Sequence, residues 1–211
     1  MPEQTPEELP LPLQLALNYA PTPQRPAAEA VFRLDARLAR FVLTAQELSI
    51  AQIRLAWWRD SLLKSTDDRP QGDQVLDAIG REWAGETPVL AALVDGWEAL
   101  LFRTEGDESG ATEFETAWAA AFGALARLAS APAHQDGAAN AGRRWGRAVW
   151  FSFEGEGSVH ENSGRARLPR SLRHLAVLNG IGRRALQRGG GPLIAGRGDM
   201  LAIARLGLIG R

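Results

Sequence analysis

Residues Val31-Phe32-Arg33-Leu34-Asp35-Ala36-Arg37-Leu38-Ala39-Arg40-Phe41 place apolar side chains at 31, 34, 38 and 41. Steps of three and four residues return to one side of an α-helix, so this segment predicts a helix with one buried face. Pro26 suits its first turn, and the pattern fades near Leu43. Upstream, a helix is expected from about Leu11 to Tyr19, ending before Pro21-Thr22-Pro23. Downstream, a third is expected from about Ile50 to Lys64, with Ile53, Trp57 and Leu62 near one stripe. The turn Asp67-Asp68-Arg69-Pro70-Gln71-Gly72 ends it.

The same reading predicts helices at about Gln74–Trp83, Pro88–Phe102, Thr112–Ala129, His134–Phe153, Pro169–Gln187 and Asp199–Gly207. Thr87 and Thr112 are candidate caps, the latter with Glu115 three residues on. Glu154-Gly155-Glu156-Gly157-Ser158 reads as an interruption, and Gly189-Gly190-Gly191-Pro192 as a flexible turn. No segment alternates with a period of two, so the fold class is all-α. A flexible segment at residues 1–10 and one helical domain at 11–211 complete the organisation.

With 211 residues, 45% of them apolar and 23% charged, the chain suits one domain with a sizeable core. It has no cysteine, which excludes disulfides, thiolate zinc sites and a cysteine nucleophile. Met1-Pro2-Glu3-Gln4-Thr5-Pro6-Glu7-Glu8 is acidic, unlike a signal peptide, and no run of about 18 apolar residues occurs. A soluble, cytoplasmic protein is expected. The net charge of −1 hides an asymmetry: thirteen arginines against four carboxylates from Arg143 onward give +9, leaving −10 before it. Such a split marks a surface for phosphates or anionic lipid, or two halves that pair with each other. Aromatic residues are not interleaved with the clustered arginines, so no nucleic-acid partner is expected. His134, His160 and His174 lie apart in sequence and form no triad pattern.

Three stretches carry a resemblance. Ile53-Arg54-Leu55-Ala56-Trp57-Trp58-Arg59-Asp60-Ser61-Leu62 is the most specific; Val31 to Ala39 and Gly164-Arg165-Ala166-Arg167-Leu168-Pro169 accompany it. Together they resemble the squalene/phytoene synthase family, over about a third of the chain. The resemblance implies an isoprenoid-synthase-like helical bundle. In the active family, two DxxxD motifs hold Mg²⁺ against a prenyl diphosphate, because carboxylates four apart share a helix face. The metal and basic residues then stabilise the leaving diphosphate inside an apolar cavity.

This chain departs from both motifs. Ala39, Arg40 and Leu43 fall where the first would lie, and the nearest carboxylates are Asp35 and Glu47. Counting back from Leu168-Pro169 puts Glu156 and His160 at the second, flanked by Gly155 and Gly157, which disfavour a rigid helix. The resemblance therefore points to a branch without the aspartates, similar to complex I assembly factors. It implies a non-catalytic binding or respiratory-complex assembly role at the membrane surface, peripheral to the inner membrane, with a protein partner or a lipid or isoprenoid ligand and no cofactor. The alternative is a compact prenyltransferase using Mg²⁺ on Asp35, Glu47, Glu156 and His160. Arg54, Arg59, Arg165 and Arg170 are candidate phosphate-binding residues; structural pairing of Arg54 and Arg59 with Asp35, Glu47 or Asp60 competes with that role. For Trp57 and Trp58, adjacency on a helix separates the rings by about 100°, so one is expected in the core and the other on a cavity or partner surface.

Overall fold

The computed structural model describes residues 8–103, 109–154 and 167–209, and within them every regular element is helical. The elements are α1 (Leu11–Asn18), α2 (Arg25–Leu43), α3 (Leu48–Leu63), α4 (Gln74–Glu82), α5 (Thr87–Leu101), α6 (Ser109–Leu128), α7 (Gln135–Glu154), α8 (Arg173–Gln187) and α9 (Arg197–Ile209), with short 3₁₀ turns between some of them. Each expected helix is present. The 154–158 interruption lies largely outside the described residues.

Local chemistry explains the boundaries. Proline occupies the first turn of α1, α2 and α5, where its missing N–H leaves no helical bond unmade. The Asp73 carboxylate caps α4 by accepting from the Val75 and Leu76 amides at 2.9 and 3.1 Å. Thr87 and Thr112 are not caps: both lie within their helices, and the Thr87 hydroxyl donates to the Trp83 carbonyl at 3.0 Å. Beyond α8, Gly189, Gly190 and Gly191 have φ of 86°, 95° and 76°, a left-handed run that a Cβ would strain. It turns the chain back so that α9 packs on α8.

The tightest packing joins α6 and α7, with α5 on the other side of α6 and α8 on the other side of α7. α2 crosses α4 and α5, α3 lies against α5, and α1 and α9 both cover α8. Gly142 makes the central approach possible: a Cβ there would overlap the Trp118 carbonyl oxygen and lie 2.9 Å from the Ala119 Cα. Around this seam Trp97, Phe114, Trp118, Phe122, Trp145 and Trp150 fill the interior. Their rings meet edge to face, as between Trp97 and Phe114 at 5.1 Å and Trp118 and Trp145 at 6.3 Å. Such pairs add about 0.5–1.5 kcal/mol each beyond burial.

Candidate functional site

α3 decides where the most specific sequence stretch points. Ala51, Leu55, Trp58, Ser61 and Leu62 are buried. Ile50, Ile53 and Trp57 instead stand 45, 69 and 44% exposed on the opposite side. This corrects the expected stripe of Ile53, Trp57 and Leu62, because only Leu62 reaches the core. Steps of three and four connect 50, 53 and 57, while 51, 55, 58 and 62 form a second such row. The helix is therefore apolar on two faces. Of the seven tryptophans, six are buried and Trp57 alone is exposed. Trp57 and Trp58 touch edge to face at 5.4 Å, and the Arg37 guanidinium lies 5.4 Å from the Trp58 ring.

The arginines of this stretch have partners that the sequence did not suggest. Arg59 donates through Nε to Asp95 at 2.6 Å and through a terminal nitrogen to Glu98, both on α5. Those two carboxylates hold its pKa above the ordinary arginine value against partial burial. Arg54 lies 5.5 Å over the Phe41 ring. Asp35, Glu47 and Asp60 are thus not the observed partners of either. Residues 95 and 98 are one helical turn apart, a spacing that could have flagged a basic partner but not which one.

Asp35 is buried, and its Oδ1 accepts a hydrogen bond from Trp97 Nε1 at 2.9 Å. Burial pushes its pKa up from 3.8 to about 7, with the indole hydrogen bond opposing the shift. Glu47 is exposed at the start of α3. From Asp35 to the end of α2 at Leu43 the helix rises about 12 Å, so the two carboxylates occupy different environments. Mg²⁺ prefers several hard, ionised oxygens at one point. Asp35, enclosed by the core and with its charged form disfavoured by burial, does not fit as a ligand. Glu156, His160 and Arg165 lie outside the described residues.

At the other end of the chain, Arg170 is exposed beside the start of α8. Arg173 donates to the carbonyls of Gly207 and Leu208 at 3.1 and 2.7 Å, closing the C-terminal end of α9. Asp199 binds the opposite end: it accepts from the Ala195 amide at 2.8 Å and from Arg184 Nε at 2.6 Å, and pairs with Arg188 at 3.1 Å. These contacts lower its pKa even though burial opposes them. His174 is buried, its ring nitrogens have no partner among the described residues, and desolvation pushes its pKa down to about 4. His134 is exposed. Among the described residues, no three histidine or acidic side chains gather as a metal-binding group, and no helix is long and apolar enough to cross a membrane.

The described residues form a helical bundle with an apolar row exposed on helix α3. Comparison of the chain with protein-family models, curated proteins and solved structures finds no match.

Proposed function

We propose that this chain is a non-catalytic scaffold of squalene/phytoene synthase-like ancestry that binds a protein partner at a membrane surface, in a respiratory-complex assembly role. The observation that carries the binding part is the two-faced helix α3. Burying one apolar row explains its place in the bundle, whereas Ile50, Ile53 and Trp57 gain nothing from that fold by standing in water. Tryptophan is an effective interface anchor because it removes a large apolar area at low entropic cost.

The interior supports the non-catalytic part. Mg²⁺ held against a diphosphate needs ionised carboxylates that can reach it. Here Trp97 and Phe114 pack against one another, and the Trp97 indole holds Asp35. The family assignment and the respiratory role rest on the resemblance of residues 31–39, 53–62 and 164–169.

The test is calorimetric titration of the purified protein with farnesyl diphosphate, with and without Mg²⁺. The expected result is no Mg²⁺-dependent binding; tight binding that requires Mg²⁺ would instead support the prenyltransferase reading. A parallel arm asks whether respiratory-complex subunits co-purify with the protein and are lost on Ile53→Asp with Trp57→Ser. Retention of those subunits by the double variant would remove α3 as the interface.

A further inference from the structure

α9 is amphipathic in a way α3 is not. Its inner side consists of Asp199, Ile203, Leu206 and Gly207. Ile203 is buried, Asp199 is held by Arg184 and Arg188, and Leu206 packs on the core. Gly207 faces Tyr19 so closely that a Cβ would overlap its ring, which fixes the distance of α9 from α1. The helix is therefore held at both ends and its rotation is set.

That rotation leaves Arg197, Met200, Leu201, Ala204, Arg205 and Leu208 outward. At 100° per residue they fill an arc of about 140°. Leu201 and Leu208 are 73 and 70% exposed, and Met200 is also exposed. Every charge on this arc is positive, since the one acid of α9 is turned inward and neutralised. The surrounding chain continues the sign: residues 167–209 contain eight arginines and that single aspartate. A partner must then supply apolar contact together with negative charge over a convex surface.

We propose that the outer face of α9 docks in the plane of an anionic lipid surface, Leu201, Leu208 and Met200 entering the headgroup–acyl boundary and Arg197 and Arg205 pairing with lipid phosphates or carboxylates. This rests on the membrane-surface location proposed above and names the face and the lipid charge. Arginine suits the position because its aliphatic stem can lie along the apolar layer while the guanidinium stays with the headgroups. A helix of this kind lies in the interface instead of crossing it, and anionic lipid contributes attraction that salt weakens. An anionic bilayer supplies apolar contact and negative charge in one plane, apolar chains beneath a layer of negative headgroups, which matches leucines whose charged neighbours on this face are all arginines.

The experiment is co-sedimentation of the full chain with vesicles of pure phosphatidylcholine and of phosphatidylcholine mixed with phosphatidylserine. Binding is expected on the mixed vesicles and not on the neutral ones, with loss as salt is raised. Leu201→Asp with Leu208→Asp is expected to lower partitioning on the order of tenfold or more, as is Arg197→Glu with Arg205→Glu, both with unchanged circular dichroism. Failure of the wild-type chain to bind mixed vesicles, equal binding to neutral ones, or undiminished binding by a folded variant would overturn the proposal. So would a wild-type dimer that the leucine variant dissolves without any vesicle binding, because the face would then belong to a second copy. The diphosphate titration involves neither vesicles nor α9, so the two readings fail separately.

Discussion

The α6–α7 seam and helix α3 both contain tryptophan, but the two regions use it differently. In the seam, Trp118 and Trp145 are buried across a glycine-permitted approach, and each ring has aromatic neighbours on other turns or helices. On α3, Trp58 is buried while Trp57, one residue away, stands in solvent. Stability therefore concentrates where backbones come close enough for side chains to interlock. α3 contributes to it through one row only, leaving the other in solvent. Interior substitutions should consequently change folding, and edge substitutions should change association.

The largest interior effect is expected at Asp35. Its folded pKa of about 7 lies above the ordinary 3.8, so the folded state holds a proton that the unfolded state releases. Stability is then fully present below about pH 4 and is lost as pH rises toward 7, by at most roughly 4 kcal/mol at 1.36 kcal/mol per unit. Asp35→Asn keeps an acceptor for Trp97 Nε1 and removes this titration. Urea unfolding from pH 4 to 8 should show the variant gaining on the parent as pH rises; parallel profiles would show that Asp35 is not desolvated as described. His174 acts with the opposite sign, since its depressed pKa costs stability as pH falls from 6.5 toward 4. That contribution is common to both proteins and cancels in their difference.

Gly142→Ala comes next. Its methyl group would meet the backbone of Trp118 and Ala119, which cannot swing away as a side-chain tip could. Overpacking of this kind costs about 3 kcal/mol, and denaturant unfolding should register a lower midpoint. An unchanged midpoint would mean that the seam is looser than its geometry indicates.

The smallest expected effect lies on the other side of the comparison. Trp57→Ala removes an exposed ring, so stability should change by less than about 0.5 kcal/mol, while binding of the proposed protein partner weakens. A loss of stability like that of a buried tryptophan would show Trp57 to be part of the core and would erase the contrast between the two faces of α3.

The helical fold was legible because its signals are local. The 31, 34, 38, 41 spacing, the prolines in the first turns of α2 and α5, and the glycine run after α8 each act over a few residues, and the structure places helices and turns accordingly. The tryptophan pair was also legible as a division between core and surface, because 100° of helical rotation separates adjacent residues whatever surrounds them. Which ring went inward was not, since that depends on where α5 and α2 lie. Ile53 illustrates the same limit: it is as apolar as Leu62, yet only Leu62 meets a neighbouring helix.

Sequence by itself determined the secondary structure and the charge asymmetry, both of which are properties of residues a few positions apart or of their sum. The tertiary structure decided that Arg59 pairs with Asp95 and Glu98, that Asp35 is enclosed beside Trp97, and that Leu201 and Leu208 remain in water. Those outcomes depend on which helices meet and at what rotation, and both follow from packing the whole bundle around the glycine-permitted contact of α6 with α7.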